Sequence, residues 1–196
     1  MNDAQVKEIF EELYNEIDGY EISKQARKDS ELNTEKFLYG ELPLETCHEI
    51  LEFANPKKGL FCDLGSGTGR VVLAMQLLGN FKKSAGVEIL KGLHDQATKI
   101  HESLQQNHPQ IAQQISFHNR DIFKTKLNNV DFVLMNHPFK DGQIFEQLEE
   151  KFLNELKPGT KIATIIRALK SSEFKRLGTK TLKFSWGDSS VHFFER

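Results

Sequence analysis

Residues 61–69 read Phe-Cys-Asp-Leu-Gly-Ser-Gly-Thr-Gly, an apolar run that ends in an acid and then places a glycine at every second position. Glycines at 65, 67 and 69 let the main chain turn sharply and approach a ligand where a Cβ would collide. The Arg70-Val-Val-Leu-Ala-Met-Gln-Leu-Leu78 run that follows has helical periodicity, so the loop joins a buried strand to a helix N-terminus. That arrangement predicts a nucleoside-cofactor site at the carboxyl end of the strand.

Beyond the loop the pattern alternates. Strands are expected at 60–63, 84–88, 115–118, 130–136 and 161–166, with helices at 90–106 and 143–156. Short apolar strands separated by helices imply right-handed crossovers and a doubly wound, mostly parallel sheet. Residues 180–186 and 190–195 read as two further strands, joined through Gly187-Asp188-Ser189 as a hairpin and therefore antiparallel. The expected class is α/β, a seven-stranded Rossmann-like sheet ending in an antiparallel hairpin. Before the loop, Val6, Ile9, Phe10, Leu13, Tyr14 and Ile17 fall at helical spacing. Residues 18–36 are polar and charged and read as a linker or loose cover, and 43–53 as a second helix. On this reading residues 1–58 form an N-terminal helical cover and residues 59–196 the core.

Bulk properties exclude several classes. A length of 196 residues suits one domain with a short helical appendage, and a formal net charge of -2 gives no global electrostatic reason to bind nucleic acid. Cys47 and Cys62 form neither a metal cluster nor a disulfide framework and read as reduced core thiols. His48, His94, His101, His108 and His118 show no metal spacing, so no metal site is expected. The first residues carry acids rather than a signal-like apolar stretch, and no segment approaches membrane-spanning length. A cytoplasmic protein without a membrane partner is the expectation.

A GxGxG turn after a strand admits two readings. Dinucleotide folds prefer GxGxxG, whose helix N-terminus receives a pyrophosphate. Here the third glycine comes one place early, and Asp63 stands two residues before the first. A carboxylate there would repel a pyrophosphate but can hydrogen-bond, directly or through water, to the ammonium of a methionyl group. S-adenosylmethionine is thereby favoured over NAD. Glu88 closes the second strand at about the interval where dinucleotide folds put their ribose-binding carboxylate. Asp121 follows the third strand, where an acid can accept from an adenine amino group while Ile122 and Phe123 cover the ring. A helix cap followed by core residues is the alternative there.

Asp63 to Gly69, Gly86-Val-Glu88, Asp121 and Met135-Asn-His-Pro-Phe139 resemble the ordered motifs of class I S-adenosylmethionine-dependent methyltransferases, over about residues 60–196. Within that class, Leu38-Tyr-Gly-Glu-Leu42, Asp63-Leu-Gly-Ser-Gly67, Gly86-Val-Glu88 and Ser185-Trp-Gly187 resemble the non-SET lysine methyltransferases of the disruptor-of-telomeric-silencing family. The resemblance implies that Tyr39, Gly40 and Glu41 help to enclose the cofactor. Its other expected contacts are Gly65, Ser66, Gly67, Thr68 and Gly69 of the loop, with Asp63, Glu88, Asp121, Ile122 and Asn136.

Asn136-His-Pro-Phe139 closes the fourth strand, at the carboxyl edge beside the loop where open α/β sheets bind ligands. It resembles the catalytic tetrad of amino-methyltransferases, in which the Asn oxygen and a main-chain carbonyl accept from the target N–H. The aromatic ring then stacks on a planar substrate or borders a lysine channel. The lysine-methylating family has Asn-Phe-Ala-Phe here, so this chain matches at Asn136 and Phe139 and departs at His137 and Pro138. A proline at that place is also usual in enzymes that methylate adenine or glutamine amides. A macromolecular acceptor, preferably a protein lysine, is expected by resemblance; RNA or DNA amino groups and a non-catalytic binding module are the alternatives. Trp186 is a candidate for the channel wall and Phe184 for sheet packing. The basic run 170–183 reads as a solvated helix and loop face, the best place for an acidic partner.

Overall fold

The computed structural model describes residues 1–32, 37–136 and 142–196. Seven strands form one sheet: β1 (Leu60–Leu64), β2 (Lys83–Glu88), β3 (Ile115–Asn119), β4 (Phe132–Met135), β5 (Lys161–Ile165), β6 (Lys175–Phe184) and β7 (Gly187–Glu195). Their order is β3-β2-β1-β4-β5-β7-β6, parallel through the first five, with β7 antiparallel to both β5 and β6. From β1 the chain steps outward through β2 to β3 and then returns to the other flank of β1 as β4. The crevice between the carboxyl ends of β1 and β4 is therefore the switch point of the sheet.

Helices α1 (Asp3–Tyr14), α3 (Leu44–Ala54) and α4 (Arg70–Gly79) cover one face, joined by part of α5 (Lys91–Asn107), and α7 (Gly142–Glu155) covers the other. Strand alternation sorts β1 between them: Phe61 packs on the first face with Phe81 and Phe132, while Cys62 and Leu64 pack on the second. Asp63 thus shares a face with Phe61 but sits one step nearer the strand end, where the apolar layer stops. Helix α1 starts from a capping box between Asn2 and Gln5 and buries Val6, Ile9, Phe10, Leu13 and Tyr14. Each large side chain so buried contributes about 1.5–3 kcal/mol. No described helix is long and apolar enough to cross a membrane.

Three sequence expectations are corrected. Residues 19–28 are not linker but helix α2 (Gly19–Lys28), capped by Asp18 and packed through Ala26 against Leu90 and Leu93 beside α5. Its buried face is Gly19, Ser23 and Ala26, small residues that leave no hydrophobic stripe to detect. The terminal hairpin turns at Ser185-Trp186, because Phe184 pairs with Gly187; Gly187-Asp188-Ser189 already belongs to β7. The basic run is mostly strand: β6 begins at Lys175, and an irregularity between Arg176 and Gly178 shifts its register and breaks the period-2 pattern. Several of its charges are engaged, Lys170 with Glu146, Lys175 with Glu195, and Lys180 over the Phe53 ring. A short helix, α6 (Pro109–Ala112), precedes β3.

Candidate functional site

The carboxyl ends of β1, β2 and β4 open into a cavity of about 340 Å³. Its floor is the turn after β1, where Gly65, Gly67 and Gly69 take φ of 87°, 55° and 83°, a left-handed conformation that side chains rarely adopt. Gly65, Ser66, Gly67 and Thr68 line the cavity, as do Asp63, Glu88, Asp121, Ile122 and Asn136. Gly69 does not line it. It starts α4, and a Cβ there would lie 2.5 Å from the Phe117 ring, so this glycine answers to packing beneath the loop.

Two carboxylates stand on the floor. Asp63 is 2% exposed, and burial, aided by the Glu88 charge, pushes its pKa up to about 8. Glu88 is also buried, and its pKa is raised by burial against the opposing hydrogen bonds from Leu90 and Gly67. Its Oε2 accepts from the Gly67 N–H at 2.9 Å and its Oε1 from the Leu90 N–H at 2.8 Å. The acid at the end of β2 therefore braces the glycine loop. Asp121 accepts from the Phe123 N–H at 2.9 Å and caps a single 3-10 turn, Ile122–Lys124, while lining the cavity wall with Ile122.

Above the floor lies a strap, residues 37–42, which has no regular secondary structure of its own. Tyr39, Gly40 and Glu41 face the cavity. The Tyr39 hydroxyl donates to Glu41 Oε1 at 3.0 Å and meets Thr68 Oγ1 at 3.3 Å; burial raises its pKa. Glu41 Oε2 is 3.9 Å from Arg70, whose guanidinium lies over the Phe10 and Tyr14 rings. Asn136 Nδ2 donates to the Gly40 carbonyl at 3.3 Å, so the end of β4 also holds the strap. On its outer side, a Cβ at Gly40 would fall 2.2 Å from the Trp186 ring, which is stacked on Phe184 at 4.6 Å. Trp186 is 39% exposed and packs on the strap, while Phe184 is buried in the sheet layer.

The sequence reading missed the support for this cover. Arg70 and Ser185 bind the strap, Tyr14 binds the loop, and Tyr20 bonds to Ser185 while its ring packs edge-on against Tyr39. Arg70 carried a signal: a cation in the first turn of a helix opposes the macrodipole and implies an acidic partner, here Glu41. Phe139, expected beside the acceptor, lies outside the described residues, as do His137 and Pro138. Among the described residues no group of three or more His, Cys, Asp or Glu is placed to hold a metal. Both cysteines are buried, and burial pushes the Cys62 thiol up to about 12.

The donor set suits a cationic amino acid carrying a nucleoside. A buried carboxylate as raised as Asp63 is relieved by an ammonium, and a second acid and an apolar wall stand within the same cavity.

A family model described as Histone methylation protein DOT1 matches residues 22–194. No curated protein matches the chain by sequence. Among solved structures it is similar to an RNA methyltransferase from Salinibacter ruber in complex with S-adenosyl-L-homocysteine, at 21% identity and a TM-score of 0.60. That match covers 79% of this chain and 92% of the other. It is similar to the M1A22 tRNA methyltransferase TrmK of B. subtilis at 15% identity and a TM-score of 0.61, over 82% and 67% of the two chains. It is also similar to the rRNA methyltransferase aviRa from Streptomyces viridochromogenes, at 14% identity and 0.60, over 93% and 94%. At these identities the likeness is one of fold.

Proposed function

From the premise that this chain belongs to the Histone methylation protein DOT1 family, and is therefore an S-adenosylmethionine-dependent methyltransferase, we propose that it methylates the side-chain amine of a protein lysine. Residues 59–196 act as the catalytic core and residues 1–58 as the cover that closes over it. In this reading Asp63 meets the methionyl ammonium, Glu88 the ribose hydroxyls and Asp121 the adenine amino group, with Ile122 against the ring. Gly65, Ser66, Gly67 and Thr68 shape the floor, and Tyr39 and Glu41 enclose it. When bound, S-adenosylmethionine supplies an electrophilic methyl group with a neutral thioether as leaving group.

The acceptor nitrogen then needs orientation, a lone pair and a dry path. Asn136 Nδ2 is committed to the Gly40 carbonyl, so the side chain offers Oδ1 to a target N–H. A lysine amine has an unperturbed pKa of about 10.4, and a desolvated cleft lowers it toward the neutral form that attacks. By resemblance Phe139 is the aromatic member of the acceptor tetrad, and His137 receives no role. The observation that carries the reading is the strap. It lies within the family match, covers the glycine loop, and is tied by Gly40 to the residue beside the acceptor. Cytoplasmic placement goes with this proposal, since both thiols are free and buried.

A lysate separated into protein and RNA fractions and incubated with methyl-labelled S-adenosylmethionine tests it. Label should enter protein and be recovered as methyl-lysine. Label in RNA alone overturns the lysine reading, and binding without transfer to either fraction marks a non-catalytic module. Asn136→Ala should lower turnover on the order of 100-fold, far more than it lowers donor affinity. A second reading, amino-methylation of RNA, rests on Pro138 and on the RNA methyltransferases named by the structural neighbours. The formal net charge of -2 works against it.

A further inference from the structure

The strap is tied on its outer side by a residue that does not line the cavity. Ser185, in the turn between β6 and β7, donates its N–H to the Glu41 carbonyl at 3.2 Å. Its Oγ accepts from the Glu41 N–H at 3.0 Å, so one residue brackets both main-chain groups of Glu41. The same Oγ is 2.6 Å from the Tyr20 hydroxyl on α2, and the Tyr20 ring stands edge-on to Tyr39 at 5.3 Å. Ser185 is thus bonded to residues 144 and 165 positions away. Its hydroxyl makes no bond within its own hairpin among the described residues, where the turn is braced instead by Trp186 Nε1 donating to Ser189 Oγ at 2.9 Å. A serine that served to close the hairpin would not be aimed this way.

We propose that Ser185 is a positioning residue for methyl transfer: its hydroxyl fastens α2 and the terminal hairpin to the strap and thereby sets how long the donor stays bound. The proposal rests on the reading of the cavity as the donor site, and acts through Glu41 and Tyr39 rather than by contact with the ligand. Removing the hydroxyl leaves the floor intact, with Glu88 on Gly67 and Leu90, and loosens the cover from outside.

The test is the rate at which S-adenosylhomocysteine leaves the full chain, followed by stopped flow with excess competitor. Ser185→Ala should speed release about five- to tenfold, the loss of one to two neutral hydrogen bonds, while the melting temperature moves by a few degrees at most. Tyr20→Phe, at an exposed position that keeps its ring against Tyr39, should speed release about two- to threefold. Ser185→Thr, which keeps the hydroxyl, should release as slowly as the parent. Unchanged release in both Ser185→Ala and Tyr20→Phe overturns the proposal, even if stability falls, because the hydroxyl then serves the hairpin alone. Should Ser185→Ala not fold, Tyr20→Phe decides. A parent chain that does not bind S-adenosylhomocysteine overturns the donor-site reading itself, which is a different result from equal release rates.

Discussion

The glycine loop and the strap face each other across one cavity but are made in opposite ways. The loop is specified mainly by the chain close to it: a strand delivers it, left-handed φ values at 65, 67 and 69 shape it, and Glu88, 21 residues on at the end of the adjacent strand, braces it. The strap has no regular structure and is held from three separate parts of the chain: Thr68 of the loop, Asn136 at the end of β4, and Ser185 with Trp186 in the hairpin turn. A floor made locally fails all at once when a brace is lost. A cover made from distant contacts loosens in increments.

Glu88→Ala should have the largest effect. It removes the acceptor for two main-chain N–H groups and leaves both buried, so stability should drop by about 2–4 kcal/mol and donor affinity by on the order of 100-fold. Urea unfolding and calorimetry measure the two, and near-parental affinity would break the contrast, since the floor would then not depend on its brace.

Asp63→Asn should come next, with a dependence on pH. In the free chain the Asp63 carboxyl is pushed up to about 8, whereas in an unfolded chain it titrates at about 3.9. The folded state therefore holds a proton that the unfolded state has lost between these values. The contribution of this group to stability falls as pH rises from about 4 to 8 and levels off above. An ammonium ligand favours the ionised form, so binding at neutral pH should release a proton and tighten toward pH 8. Asn removes the titration: the free protein should melt higher near pH 8 while donor affinity falls about tenfold. Calorimetry in buffers of different ionisation enthalpy detects the proton, and its absence would remove Asp63 from the floor chemistry.

Gly40→Ala probes the cover and should be the mildest. The new methyl would fall 2.2 Å from the Trp186 ring, so the strap or the indole must shift. Donor affinity should fall about fivefold with little change in unfolding. A loss equal to that of Glu88→Ala would mean that the cover is as indispensable as the floor.

What was legible follows the same division. The strand, glycine turn and helix around 60–79 could be read because each constraint acts within a few residues, and the large apolar stripe of α1 announces itself. Helix α2 could not, since Gly19, Ser23 and Ala26 bury little hydrocarbon and its docking depends on Leu90 and Leu93. The first half of β6 was hidden by its irregularity at Arg176 and Gly178. Gly69 shows a subtler limit: its positive φ was foreseeable, but that it makes room for Phe117 rather than for a ligand depends on β3. Arg70 offered a usable hint in its charge, whereas Ser185 stood out only as part of the Ser185-Trp-Gly187 motif, and its bonds to Glu41 and Tyr20 could not be read from that.

The placing of β7 between β5 and β6 has a bearing on the order in which competence is gained. A chain synthesised from its N-terminus makes the strap long before the turn that fastens it, and Ser185 reaches its position when β7 has slotted into the sheet. A chain still short of β7 can therefore hold the residues of the loop and the strap but not the bond that fastens them, so that fastening is open only to a chain that extends through its last strand.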